Sequence, residues 1–213
     1  MDFNDTPEEA AFRSEARAFL DEHLSLLPPG ASGRGMGEDL TAEDVAAAQA
    51  WQKTKADNGW ACIGWPKEFG GRGATPIQSL IWGQEEARYE TPNTTVFGIG
   101  IGMCGPTELA HGTEEQKTKW IPKLVSGEEI WCQLFSEPSA GSDLAGLRTS
   151  AVPDGDDWIL NGQKIWTSGA NWCEWGVIVT RTDPVAAKHA QQHQSGAKND
   201  LDLQLLSPDR YAG

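Results

Sequence analysis

The stretch "FSEPSAGSD" (Phe135 to Asp143) follows directly on the apolar run "EIWCQLF". Acids, one proline, three serines and small residues bury little surface. Such a stretch must hold a tight shape, bind something, or both. A second stretch of the same character, "KIWTSGA" (Lys164 to Ala170), comes later in the chain. Both supply hydroxyls, small residues and backbone N–H groups as they leave an apolar run. Glycine and alanine let backbone approach a ligand closely, and Trp166 offers a flat stacking wall. Two readings stand: a cradle for a flat heterocycle, or a structural β-corner.

The other chemical patterns say less. Gly100, Gly102 and Gly105 fit G-x-G-x-x-G. A dinucleotide fingerprint also needs a strand before it, a helix after it and an acid closing a second strand. Here "TTVF" is a weak strand and no parallel strand appears before Thr113, so the glycines read as a glycine-rich helix or turn in close packing. No G-x-S-x-G surrounds Ser142, which leaves it without a hydrolase context. Asp156 and Asp157 read as solvated turn residues, and Glu85 and Glu86 as a surface pair on a helix. Cys62, Cys104, Cys132 and Cys173 are widely spaced, and the four histidines show no metal-site spacing with carboxylates. The cysteines read as buried reduced thiols and no metal is expected.

The elements that position these stretches fall into two sets. Four segments begin with a threonine followed three residues later by an acid or amide, or open in the same way. These are Thr6 with Pro7 and Glu9, Thr41, Thr75 with Pro76 and Gln78, and Thr113 with Gln116. Phe12, Ala16, Phe19 and Leu20 then share one face of the first helix. "LLPPGASGRGMG" and "WPKEFGGRGA" read as loops. After Gly127 the period shortens. "IWCQLF", "LRTSAV", "DWIL", "QKIWTS" and "EWGVIVTRT" read as strands of an antiparallel meander, with turns at Asp154-Gly155 and Asn161-Gly162. The expected fold is α+β: a helical unit over 1–128, a partial antiparallel barrel or sandwich over 129–184, and a polar tail over 185–213 in which only "LDLQLL" reads as a strand.

The chain has 213 residues, is 38% hydrophobic and carries a formal charge of −14. That size supports real cores, and the charge argues against a nucleic-acid partner; phosphate binding would need basic residues gathered locally against the overall field. No segment approaches a membrane span, and the start "MDFNDTPEEA" lacks the layout of a signal peptide. A cytoplasmic protein is the expectation. The ten tryptophans must fill a core or face something large and flat.

Taken in order, "GWPKEFGGRGA", "HGTEEQKTKWIPKLVSGEEIWCQL", "WCQLFSEPSAGSDLAGLRTSAV" and "NGQKIWTSGA" resemble the acyl-CoA dehydrogenase family, from about Asp2 to Pro184. The resemblance implies an N-terminal α domain, a middle β domain and a C-terminal helical bundle. It also implies FAD, oxidation of an acyl-CoA thioester to the trans-2-enoyl-CoA, and electron transfer to an electron-transferring flavoprotein. Position by position, Gln133, Phe135, Ser136, Gly141, Ser142, Trp166, Thr167 and Ser168 fall on cofactor contacts. Gln133 stands where many members carry an aromatic residue. Phe135 and Ser136 would line the isoalloxazine through backbone and hydroxyl. Gly141 and Ser142 would close the loop where FAD meets the pantetheine arm, with Ser142 also touching substrate. Trp166 would back the flavin face opposite the substrate, and Ser168 would supply the hydroxyl to flavin N5, with Thr167 between them.

The tail after Pro184 does not follow the family pattern. The family's base glutamate belongs to the bundle, so no residue here is nominated as catalytic. A homo- or hetero-oligomer is expected. The alternative is a non-catalytic partner subunit or scaffold module that kept the fold.

Overall fold

A computed structural model of the chain describes residues 4–31, 40–155 and 157–183, and the backbone of 204–206. The loop residues 32–39, Asp156 and most of the polar tail lie outside the described residues.

Five α-helices form the first half: α1 (Pro7–His23), α2 (Ala42–Asp57), α3 (Pro76–Glu86), α4 (Gly105–His111) and α5 (Glu114–Ser126). Complete capping boxes start four of them, at Thr6/Glu9, Thr41/Asp44, Thr75/Gln78 and Thr113/Gln116. Each threonine hydroxyl accepts from the N3 amide, while the N3 side chain accepts from the threonine's own N–H. Two donors left orphan by the helix geometry are thereby satisfied. Among the described residues, no helix is long and apolar enough to cross a membrane.

Helices α1 and α3 pack across an aromatic core. Phe12, Phe19, Trp51, Trp60, Trp82 and Tyr89 are buried together. Trp60 and Trp82 stack at 4.7 Å between centroids, and the Arg72 guanidinium lies 3.9 Å from the centre of the Trp60 ring. Three of the ten tryptophans therefore fill this core, and a fourth, Trp131, is buried elsewhere. Beside this core Glu85 is 2% exposed, which corrects the surface reading. Burial alone would raise its pKa. The Arg17, Arg13 and Arg88 guanidiniums, at 2.7, 2.8 and 2.6 Å, overcome that and hold it down at about 2. Glu86 accepts from Trp51 Nε1 and Lys55 Nζ.

The chain is helical from Thr94 to His111, with a π turn over Gly100–Cys104. "TTVF" is a 3₁₀ turn rather than a strand. A Cβ on Gly100 would lie 2.8 Å from Leu124 and 3.3 Å from Trp131 Cβ; one on Gly105 would lie 2.3 Å from the Trp65 ring. These two glycines let the helix press against α5 and the first strand; the close-packing reading of the G-x-G-x-x-G match holds for them and not for Gly102, which meets nothing within 4 Å.

The β part has strands β1 (Trp131–Leu134), β2 (Ser150–Asp154), β3 (Asp157–Asn161), β4 (Trp175–Ile178) and β5 (Gln204–Leu206). It is not a simple meander. β1 pairs in parallel with β4, Trp131 opposite Trp175 and Leu134 opposite Ile178, and β5 adds antiparallel to β4. β2 and β3 form a separate hairpin, joined to the end of β4 through Ala151 N–H to Arg181 O (2.9 Å) and Arg181 N–H to Thr149 O (2.8 Å). The Asp154-Gly155 turn is the hairpin turn, with Gly155 at φ 64°. Asn161-Gly162 is not: β3 ends there, and Gly162 is needed because a Cβ would meet Thr149 Oγ1 at 2.3 Å. The expected strand "QKIWTS" has no ladder partner.

Gly105→Ala is expected to lower stability by about 1–3 kcal/mol through overpacking against Trp65. Gly102→Ala, where a Cβ meets nothing within 4 Å, is expected to be neutral or stabilising by up to about 1 kcal/mol. Urea unfolding midpoints of the two variants check the contrast.

Candidate functional site

β1 delivers the chain into the first chemical stretch. Side chains alternate along it. Trp131 and Phe135 face the helical half, packed with Cys104, Leu124 and Val177, whereas Cys132 and Leu134 face the hairpin side with Leu160. Gln133 shares the helix-facing side by the period of two. Its Oε1 is buried and has no hydrogen-bond partner among the described residues.

The turn itself is short. Glu137 N–H donates to Ala140 O (2.8 Å) and Ala140 N–H donates back to Glu137 O (3.1 Å), with Pro138 and Ser139 between. Proline pre-sets φ at the first central position of such a turn. Gly141 and Ser142 follow, both exposed.

The second stretch is laid against the first by three contacts. Ile165 N–H donates to Ser136 O at 2.9 Å. Lys164 Nζ donates to Phe135 O at 3.1 Å and to Glu137 Oε1 at 2.8 Å. Glu137 and Lys164 form a buried ion pair, their side chains 4% and 7% exposed. The same carboxylate accepts from Arg148 N–H (2.6 Å) and Thr149 N–H (2.9 Å). Burial would push its pKa up, but the Lys164 ammonium and these donors hold it down at about 2. Neither residue figured among the sequence-derived site residues. The available signal was an acid inside a run of small residues, matched by a lone lysine opening the partner stretch.

This crosslink sets Phe135 and Ser136 beside Lys164 and Ile165, and Trp166 is the next residue. Phe135 is half-buried, and the carbonyls of Phe135 and Ser136 are spent within the protein, so backbone acceptors at these two positions are already occupied. The hydroxyls of Ser136, Ser142, Thr167 and Ser168 make no hydrogen bond among the described residues. Trp166 stands apart. It has φ 55°, the left-handed region that bulky residues avoid, and its side chain is 80% exposed. A strained tryptophan held out in solvent costs free energy on both counts, and such strain collects at functional sites.

The two stretches thus carry a flat exposed indole and four hydroxyls with no hydrogen bond among the described residues, and β1 carries one buried, unpartnered amide oxygen. These fit the flat face and polar rim of a fused heterocycle.

Two family models match the chain. The model described as acyl-CoA dehydrogenase, N-terminal domain, matches residues 6–128, and that of the middle domain matches residues 132–198. The chain belongs to the acyl-CoA dehydrogenase family. It is 38% identical over 179 residues to acyl-CoA dehydrogenase IpdE1 of Mycobacterium tuberculosis (strain ATCC 25618 / H37Rv), covering 84% of this chain and 46% of that protein. Among solved structures, the Tcur3481-Tcur3483 steroid ACAD superposes with a TM-score of 0.68 at 30% identity, over 98% of this chain and 50% of that one. The ChsE4-ChsE5 complex from Mycobacterium tuberculosis gives 0.65 at 33% identity, over 88% and 46%. The chain therefore spans about half the length of these relatives.

Glu137→Gln is expected to cost on the order of 3 kcal/mol near neutral pH, because it leaves Lys164 buried without its counter-charge. Glu137 titrates at about 2 in the fold against an ordinary 4.5. Between those values the unfolded chain binds more protons, so this contribution is present above pH 4.5 and lost as the pH falls towards 2. Urea unfolding of variant and wild type should therefore converge on acidification.

Proposed function

We propose that the chain is the flavin-binding portion of an acyl-CoA dehydrogenase that oxidises an acyl-CoA thioester between its α and β carbons. The helical unit is placed at 1–128 and the β unit at 129–184. FAD, when bound, supplies a two-electron acceptor that takes the β hydride at N5.

The chain's own residues hold and polarise that ring. Trp166 would stack on one face of the ring, which would give its exposed indole a partner. Ser136, Thr167 and Ser168 would offer hydroxyl donors to the rim, where a reduced ring carries negative charge. Fixed donors stabilise that charge without reorganising. Gln133 Oε1 accepts from a donor on the ring or its side chain, and Phe135 packs beneath the loop. Gly141 lets the pantetheine arm pass close, and Ser142 hydrogen-bonds it. No residue of this chain is nominated as the base that removes the α proton. An electron-transferring flavoprotein is the proposed acceptor.

The observation that carries this reading is Trp166, strained and exposed beside unspent hydroxyls. Relatives named acyl-CoA dehydrogenase support it. Two similar structures are steroid ACADs, which favours a bulky acyl group over a slender one.

A second reading is a partner subunit that keeps the fold without the chemistry. It is favoured by the ChsE4-ChsE5 complex, in which two such subunits associate.

Titration of the purified chain with FAD should give a bound yellow species with quenched tryptophan fluorescence. Trp166→Ala should keep its circular dichroism and thermal midpoint, since the side chain makes few contacts, and should bind FAD about tenfold more weakly. Unchanged FAD affinity in the variant would remove the flavin reading and favour the partner-subunit one.

A further inference from the structure

The four free cysteines are of two kinds. Cys62 and Cys104 are buried among apolar side chains, and burial pushes both thiols up to about 12. Thiols held there are inert. Cys132 is buried and Cys173 half-buried, and these two meet. Cys173 packs against Cys132, Leu134 and Ile178, and the Cys132 and Cys173 thiols are in side-chain hydrogen-bonding contact.

Strand register brings the two sulfurs together. Cys132 stands opposite Gly176 of β4, and glycine presents no side chain there. Cys173 comes three residues before Gly176, at the end of the 3₁₀ turn Ala170–Trp172, which Gly169 opens at φ 72°. Its thiol also lies 3.1 Å from Gly169 O. Cys104 belongs to the other face of β1, where its thiol donates to the Cys132 carbonyl at 3.7 Å. Along the chain, Cys132 and Cys173 bracket nearly the whole segment between β1 and β4. A bond between their sulfurs closes a ring that contains Glu137, Lys164 and the β2–β3 hairpin.

We propose that Cys132 and Cys173 are a redox-active thiol pair, which a hydroperoxide converts reversibly into a disulfide that staples the two ends of this segment. Cys173 is the sulfur an oxidant can reach. When the pair has lost one proton, the remaining S–H supports the thiolate, and exchange of that proton puts the charge on either sulfur. The Cys173 thiolate attacks the peroxide: an S–O bond forms, the O–O bond breaks, and the peroxide's other oxygen leaves as water. Cys132 then attacks the Cys173 sulfenic acid, the S–S bond forms and a second water leaves. Two thiols and one hydrogen peroxide thus give one disulfide and two waters. Contact with Cys173 holds the Cys132 thiol below its ordinary value and pushes Cys173 up, which suits Cys132 to the second, attacking step.

The test is peptide mapping of the whole 213-residue chain after treatment with stoichiometric hydrogen peroxide and alkylation of the remaining thiols. Cleavage after Lys123, Arg148, Lys164 and Arg181 puts the two cysteines in separate peptides, 124–148 and 165–181. These should appear joined, lighter by two hydrogens, with Cys62 and Cys104 alkylated, and dithiothreitol should release them. Cys132→Ala should stop at a Cys173 sulfenic acid that dimedone captures, and Cys173→Ser should leave Cys132 open to alkylation. The oxidised wild type should melt about 5 °C or more above the reduced chain, with no such rise in either variant. Should Cys132→Ala lose its circular dichroism, the wild-type map and Cys173→Ser decide the question. Peptides 124–148 and 165–181 left unlinked, linked between chains, or linked to Cys62 or Cys104 overturn the proposal. A link within the chain that does not raise the melting temperature overturns the stapling role.

Discussion

One buried ion pair governs the site. Glu137 and Lys164 sit on the two stretches that carry its hydroxyls, and both are nearly free of solvent. Moving the two charges out of water is costly, and only good geometry with further hydrogen bonds offsets that cost. Here the carboxylate also takes two backbone amides and the ammonium also takes the Phe135 carbonyl. The pair therefore fixes relative position: it sets "FSE" against "KIW" and aligns the segment that leads to Arg148. An acid inside a run of serines and small residues is explained by this duty rather than by contact with a ligand.

The helical half serves the same end from the other side. Gly100 and Gly105 bring the helix of residues 94–111 against Trp131, Trp65 and Leu124. A side chain at either position would push that helix away from β1. The aromatic core and the three arginines on Glu85 then hold α1 and α3 together, with Trp51 of α2 packed against them. The outcome is a rigid platform behind β1, from which the loop and Trp166 project. Rigid support matters because preorganised donors act without rearrangement at the moment of charge transfer.

The sheet shows how the two chemical stretches come to be neighbours. In a meander they would follow one another along a ribbon. In the parallel β1–β4 pairing the whole of residues 135–174 is a crossover that leaves the end of β1 and returns to the start of β4, and the two stretches meet within it through the Ser136–Ile165 and Glu137–Lys164 contacts. Glu174 fastens that return, its carboxylate accepting from Ile130 N–H at 2.6 Å and its own N–H donating to Ile130 O at 3.0 Å. The β2–β3 hairpin is a branch of this crossover, joined to the chain after β4 at Arg181.

What was legible in the amino-acid sequence was local. Capping boxes need only four consecutive residues, so the starts of α1, α2, α3 and α5 could be read directly. The Asp154-Gly155 turn and the close-packing role of Gly100 and Gly105 were legible for the same reason. The family resemblance marked Gln133, Phe135, Ser136, Gly141, Ser142, Trp166, Thr167 and Ser168 as residues to watch. Tertiary structure alone decided the partners. Period-two patterning does not say whether a strand's neighbour is parallel, Asn161-Gly162 carries a hairpin signal that close approach to Thr149 overrides, and burial of Glu85 and Glu137 depends on cations brought from other elements. Charge pairs across long separations leave no spacing to read, because the distance that matters is set by the fold and not by the chain.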